Sequence, residues 1–123
     1  MNRCLFLVFI ISFWCLAAYA YNESDISLDE KVSRSDAVFV AQVIALDKSK
    51  LQSDGTEYSL AKIELVLKGS VSGHVRVVSR SLFSELNPDC CDVGKRYLFF
   101  VKTQPDGSYL SANGRYGIYE LPR

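Results

Sequence analysis

The adjacent cysteines Cys90 and Cys91 are the most unusual chemical feature of the sequence. In an oxidising compartment, two neighbouring thiols could close a small disulfide ring, take part in thiol–disulfide exchange, or bridge to another chain and so make a cysteine-linked dimer. The pair could also be purely structural, with one thiol buried and the other unpaired. The sequence leaves these alternatives open, and Cys90 and Cys91 are the candidate disulfide or redox residues.

No other group of residues indicates catalysis or a bound metal. His74, the one histidine, follows Gly73 without a neighbouring carboxylate, which is typical of an exposed residue at the start of a strand. Asp89 and Asp92 stand too close to the cysteines to surround a zinc ion, which needs about four spaced ligands. No G-x-S-x-G pattern marks a nucleophilic serine. We therefore predict no enzymatic activity and no catalytic, cofactor-binding or metal-binding residue.

The beginning of the chain predicts an export signal. Arg3 gives it a positive start, residues 5–18 are largely apolar, and Ala18 and Ala20 form the small-x-small pattern that precedes a cleavage site. Cleavage would leave Tyr21 as the first residue. The apolar stretch is shorter than a membrane-spanning helix, which needs about 20 residues, so an uncleaved membrane anchor is disfavoured.

Removal of a signal peptide of residues 1–20 would leave one domain of residues 21–123, secreted or periplasmic. Two of the four cysteines of the chain would be lost with the signal, and Cys90 and Cys91 would remain. We expect no membrane association after cleavage.

The composition restricts the partners. The chain of 123 residues has 14 basic and 14 acidic side chains and is 49% hydrophobic. This balanced charge argues against nucleic acid and against a polybasic membrane binder. A group of aromatic residues could stack on a saccharide, although most of them are better explained as core. They are Tyr97, Phe99, Phe100, Tyr109, Tyr116 and Tyr119.

The hydrophobic pattern predicts one short helix followed by strands. Ser27 and Glu30 form a capping box, so a helix should cover residues 28–34, with Leu28 and Val32 as the apolar stripe that docks on the fold. Residues 37–46 are apolar on both faces and predict a strand buried on both sides.

Further strands are predicted from alternation and turn residues. In residues 58–67 the apolar face contains Ala61, Ile63, Leu65 and Leu67, which indicates a half-exposed strand. Strands are also expected around residues 75–77, 97–101, 109–112 and 116–121, the last two joined by an Asn-Gly hairpin turn at residues 113–114. The solvated segments 47–57 and 81–93 are predicted loops. A mainly β chain of this kind removes its exposed edges by closing into a small barrel.

Three stretches in this order resemble the tissue-inhibitor-of-metalloproteinases-like, or netrin-module, family of OB-fold proteins. They are residues 35–43 (SDAVFVAQV), residues 64–69 (ELVLKG) with 75–77 (VRV), and residues 91–100 (CDVGKRYLFF). The resemblance implies a five-stranded OB-fold-like antiparallel barrel with one short N-terminal helix, and it implies no catalytic centre.

The departures from the animal inhibitors of this family limit what the resemblance implies about function. Those inhibitors look to use a mature N-terminal cysteine, which chelates the zinc of the peptidase. The mature form of this chain would begin with Tyr21 instead. The family's C-terminal cysteine is also missing from residues 108–123. We therefore expect a non-enzymatic exported module that binds a protein or saccharide partner through the two loops. The alternatives are a peptidase inhibitor without the N-terminal chelate and thiol–disulfide exchange at Cys90 and Cys91.

Overall fold

The structure, a computed structural model, describes residues 24–122. The predicted signal peptide and its cleavage residues Ala18, Ala20 and Tyr21 lie outside the described residues. The described chain is mainly β. Its elements are α1 (Leu28–Arg34), β1 (Ala37–Asp47), α2 (Leu51–Asp54), β2 (Glu57–Lys68), β3 (His74–Arg80), a 3-10 turn (Ser84–Leu86), β4 (Arg96–Thr103), β5 (Tyr109–Ser111), a second 3-10 turn (Gly114–Tyr116) and β6 (Ile118–Glu120).

Five strands close a barrel, which confirms the predicted fold class. They follow the order β1-β2-β3-β5-β4, and β4 pairs with β1 to close the ring. Their pairings are antiparallel except that of β3 with β5, which is parallel and joins Val77 to Tyr109. The short strand β6 adds to β4 beside the barrel. The result is an OB-fold-like barrel.

The core fills the interior of the barrel, where side chains of β1, β2, β3, β4 and β6 meet. Phe39 and Phe99 are opposite each other in the sheet and stack with their ring centroids 5.1 Å apart. Val43, Val77 and Val101 complete this fully buried cluster. Burial of each such side chain contributes about 1.5–3 kcal/mol, so the barrel interior supplies the main stabilisation of the domain.

Helix α1 has the predicted bounds but docks by another face. The Ser27 hydroxyl accepts a hydrogen bond from the Glu30 amide at 3.2 Å, as the capping box predicts. The predicted docking stripe is wrong, because Leu28 is 64% exposed and Val32 is also exposed. The side chain of Lys31, only 3% exposed, packs against the barrel instead.

Lys31 can be buried because its charged end is satisfied. Its Nζ lies 2.6 Å from a carboxylate oxygen of Asp25 and donates a hydrogen bond to the Tyr119 hydroxyl. The same ammonium lies 4.8 Å from the centroid of the Tyr119 ring. A lysine stem can cover apolar surface when its ammonium is paired in this way, which a purely apolar stripe does not reveal.

Two predicted faces are only partly buried. Strand β4 pairs with β1 only as far as Gln42, and Ile44 and Leu46 beyond this residue are exposed. The prediction that β1 is buried on both sides therefore fails at its C-terminal end. Leu65 and Leu67 are exposed because β2 continues past the end of β3.

The predicted hairpin at Asn113 and Gly114 is also wrong. Strands β5 and β6 do not pair with each other but follow one another along the same edge of β4. The fully buried Asn113 is used differently: its Oδ1 accepts a hydrogen bond from the Ile26 amide at 3.2 Å, and its Nδ2 donates to the Ser24 carbonyl at 3.0 Å. This side chain fixes the segment before α1 and is not available for a hairpin turn.

Candidate binding surface

The loop of residues 81–93 presents two large apolar side chains to solvent. Leu82 is 76% exposed and Phe83 is 62% exposed, at the outer end of the loop. We call these two residues the apolar tip. Because water contact with large apolar groups is unfavourable, such a tip is typical of a surface that is covered in a complex.

Hydrogen bonds from Asn87 hold the base of the apolar tip. Asn87 Oδ1 accepts from the Ser81 amide at 2.8 Å and from the Ser81 hydroxyl at 2.9 Å. Asn87 Nδ2 donates back to the Ser81 carbonyl at 3.3 Å. Inside this clamp, the Leu86 amide donates to the Phe83 carbonyl at 3.0 Å. The tip is therefore displayed on a short closed turn.

The other end of the loop is tied to the barrel. The Asp92 amide donates to the buried Tyr97 hydroxyl at 2.8 Å. The Gly94 amide donates to the Val43 carbonyl of β1 at 2.7 Å. Burial also raises the pKa of the Tyr97 hydroxyl above its ordinary value. The C-terminal end of the loop is thus fixed by groups of the barrel strands, whereas its first turn is closed by the loop's own Ser81 and Asn87.

The loop of residues 47–57 adjoins the apolar tip. A β-carbon built on Gly55 would lie 2.6 Å from Cδ2 of Leu82, so the Leu82 side chain covers this glycine. Gly55 ends α2 with a φ of 74°, which a glycine adopts at little cost. The two loops predicted as binding elements therefore form one surface.

The structure joins the sulfurs of Cys90 and Cys91 to each other. Cys91 is buried in the main core cluster, and Cys90 packs against that cluster while it lines a cleft. The ring therefore lies between the core and the candidate surface. A bridge to another chain, the dimer considered from the sequence, would require this ring to open.

A cleft of about 450 Å³ lies beside the loop. Its lining carries the guanidinium of Arg115 and the carboxylates of Asp25, Asp89, Asp92 and Glu120. The two hydrogen-bonded carboxylates Glu120 and Asp92, 3.1 and 3.2 Å from Lys95 Nζ, raise the pKa of this lysine. The rings of Tyr116 and Tyr119 contribute apolar walls, which makes the cleft suited to a polar ligand with a flat or aliphatic part.

A second apolar surface lies on the other side of the chain. The exposed Leu28 and Val32 of α1 face Leu67 and Leu98 across an open groove of about 300 Å³. No described element of the chain covers it. Because its residues are similar in type to those of the apolar tip, this groove provides matched control positions.

The remaining residues considered from the sequence do not join a site. His74 is an exposed residue at the start of β3. Within residues 24–122, no group of three or more His, Cys, Asp or Glu side chains is arranged to hold a metal ion. No helix of this part of the chain is both long and apolar enough to cross a membrane.

Both loops were predicted from the sequence, but the apolar tip was not. The signal for it was present: Leu82 and Phe83 are two consecutive large apolar residues in a segment predicted to be a loop. The contact between Gly55 and Leu82 had no sequence signal, because it joins residues of separate loops. The chain matches no model of a known protein family, no curated protein and no solved structure.

Proposed function

We propose that the chain is a non-enzymatic exported binding module that engages a protein partner through the surface formed by the 47–57 and 81–93 loops. The single observation that carries this proposal is the exposure of Leu82 and Phe83 on a loop that is fixed at both ends. Kinship with the tissue-inhibitor-of-metalloproteinases-like OB-fold proteins, and secretion or export to the periplasm, are parts of the same proposal.

The apolar tip supplies a driving force for association. Burial of a Leu or Phe side chain contributes about 1.5–3 kcal/mol, and such anchors often dominate an interface. The Asn87 clamp adds to this, because a loop that is already ordered loses less conformational entropy on binding. A saccharide is less well served, because the two exposed side chains of the tip, one aliphatic and one aromatic, carry no hydrogen-bonding group of their own.

Site-specific photo-crosslinking tests the proposal. A benzophenone amino acid is placed at position 83, at position 52 in the facing loop, or at position 67 in the control groove, and the exported protein is irradiated among the other exported proteins of its source. We expect one partner to be crosslinked from both Phe83 and Gln52 but not from Leu67. Crosslinking only from position 67, or none from the two loops, would refute the proposed surface.

Paired variants give the same test in solution. The double substitution Leu82→Ser/Phe83→Ser should weaken binding of the crosslinked partner at least about tenfold. The matched double substitution Leu65→Ser/Leu67→Ser changes exposed apolar residues elsewhere and should leave binding unchanged. Equal effects of the two pairs would contradict the proposal.

Peptidase inhibition is the second candidate function, and the clamped tip favours it over a general adaptor role. The Phe83 backbone (φ −94°, ψ 89°) is held by two hydrogen bonds to its carbonyl, from the Ser81 hydroxyl and the Leu86 amide. A loop that enters a peptidase cleft needs a backbone held in this way. The proposal assigns no role to the N-terminus, where Tyr21 replaces the chelating cysteine. Inhibition of an exported metallopeptidase by the native protein, lost in Leu82→Ser/Phe83→Ser, would place the partner among peptidases.

A further inference from the structure

The loop that carries the apolar tip is acidic. Residues 81–93 include Glu85, Asp89 and Asp92 and no Lys, Arg or His. Among the described residues, Asp92 is paired with Lys95, whereas Glu85 and Asp89 form no ion pair. Both are exposed, so the field of these two carboxylates acts on whatever approaches the tip.

The facing loop adds a carboxylate at the same place. Asp54 immediately precedes Gly55, against which Leu82 lies, and its Oδ1 accepts from the Thr56 amide at 3.0 Å. The apolar tip is therefore flanked by Asp54 on one side and by Glu85 on the other. Apolar and negatively charged groups are therefore neighbours at the tip, while the same facing loop carries the exposed Lys48 and Lys50 before Leu51.

The apolar tip is connected to the cleft. The 3-10 turn that follows the tip, Ser84–Leu86, packs against the 3-10 turn Gly114–Tyr116, which borders the cleft. Asp89 lies on the rim of the cleft, and the ring of Tyr116 lies in its wall. Asp89 therefore belongs both to the loop and to the cleft, where the guanidinium of Arg115 already lies over the Tyr116 ring, 5.2 Å from its centroid.

We propose that the partner surface is a polypeptide segment in which apolar and basic side chains are neighbours. The apolar side chains cover Leu82 and Phe83, and the Lys or Arg side chains face Asp54, Glu85 and Asp89. This inference rests on the proposed function, because it names the chemistry of the partner that binds at the same surface. An acidic partner would be repelled, since like charges across an interface are unfavourable.

Selection from a random peptide library displayed on phage tests the inference, with the exported, disulfide-bonded protein as the immobilised target. We expect the selected peptides to combine Leu, Ile or Phe with Lys or Arg. The synthetic peptides should bind at least about tenfold more weakly to Leu82→Ser/Phe83→Ser. Their affinity should also fall as the salt concentration rises from about 0.05 M to about 0.5 M, because exposed charges are screened.

Two charge-matched variants separate a local from a general electrostatic effect. Glu85→Gln/Asp89→Asn and Asp29→Asn/Glu30→Gln each remove two negative charges, but the second pair lies on α1, away from the loops. We expect the first pair to weaken peptide binding about fivefold and the second to leave it nearly unchanged.

The possible failures are distinguishable. Peptides that depend on Leu82 and Phe83 but contain no basic residues, or equal effects of the two charge-matched pairs, would overturn the inference and leave the proposed binding surface intact. A selection without any tip-dependent peptide would also overturn it. The crosslinking from positions 83 and 52 then decides separately whether the proposed function stands.

Discussion

The side chain of Leu82 lies directly over Gly55, so closely that a β-carbon at position 55 would stand 2.6 Å from its Cδ2 atom. This contact joins two loops that are separated in sequence by β2 and β3. It orients Leu82 while leaving most of that side chain exposed. The position of the apolar tip therefore depends on the absence of a side chain in the facing loop.

Gly55→Ala should displace Leu82 and weaken partner binding. Leu82 is an exposed, flexible side chain that can move away, so the added methyl group acts mainly on its position. The positive φ of Gly55, 74°, adds a strain of about 1 kcal/mol. Urea unfolding and affinity for the crosslinked partner measure the two effects.

Gly73→Ala is the control, because Gly73 has a similar φ of 70° but no atom within 4 Å of the point that a β-carbon would occupy. It should lower the free energy of unfolding by a similar amount, about 1 kcal/mol, without changing affinity. If both variants lose affinity equally, the contact between Gly55 and Leu82 does not position the tip.

Tyr97→Phe should loosen the C-terminal end of the 81–93 loop. The substitution removes the acceptor of the Asp92 amide, a bond of 2.8 Å, and keeps the ring in the core. We expect a loss of about 1 kcal/mol in the free energy of unfolding. Hydrogen exchange of the Asp92 amide should become faster.

Tyr58→Phe serves as the comparison, since its hydroxyl donates to Asp106 at 3.3 Å in a different part of the barrel. It should leave the exchange of the Asp92 amide unchanged. An unchanged exchange rate in Tyr97→Phe as well would show that the Tyr97 hydroxyl does not anchor the loop.

The stability of the domain should fall at alkaline pH. Burial lowers the pKa of Lys31, but the hydrogen bonds with Asp25 and Tyr119 outweigh burial and leave the pKa raised. Burial also raises the pKa values of Tyr58 and Tyr97. The folded state thus holds these protons more tightly than the unfolded state, and the stabilisation is lost as the pH rises above about 10.

Denaturant unfolding at a series of alkaline pH values measures this effect. Lys31→Met removes one of the groups whose pKa is raised in the folded state and keeps an aliphatic stem of similar length. The stability of this variant should therefore depend less steeply on pH than that of the native protein. An identical pH dependence in the two proteins would argue against a stabilising ion pair at Lys31.

Intact mass spectrometry of the exported protein should show a monomer that begins at Tyr21 and carries no alkylated cysteine before reduction. A monomer without alkylation is expected because the structure joins Cys90 to Cys91 within one chain. The start at Tyr21 is expected from the predicted cleavage site. After reduction, two thiols should react with the alkylating reagent. A cysteine-linked dimer, or alkylation without reduction, would contradict a closed ring, and a different first residue would contradict the predicted cleavage site.

The sequence predicted the strands well because alternation of apolar residues reflects a strand with one buried face. It also predicted α1, since the Ser27 cap is a local interaction between residues that are close in the chain. The docking face of α1 could not be predicted in this way. Lys31 is buried only because Asp25 and Tyr119 meet its ammonium group, and Tyr119 is distant in sequence.

In the candidate surface, too, local interactions could be predicted from the sequence and distant contacts could not. Asn87 and Ser81 are close enough for a turn to be expected, whereas the contact of Leu82 with Gly55 requires the barrel to bring the two loops together. The Asn113 side chain likewise binds the chain near Ser24, so a local preference of Asn-Gly for a hairpin is overridden by a long-range hydrogen bond.

The pairing of β3 with β5 means that a newly made chain can close its barrel only late in synthesis. Val77 meets Tyr109, and Val101 lies between Ala37 and Ser111, so the ring of strands cannot close before residues near the C-terminus are available. Until then, β3 and β4 keep unpaired edges, which are prone to aggregation and to proteolysis. Early termination or C-terminal truncation should therefore yield an open, short-lived sheet and not a smaller barrel.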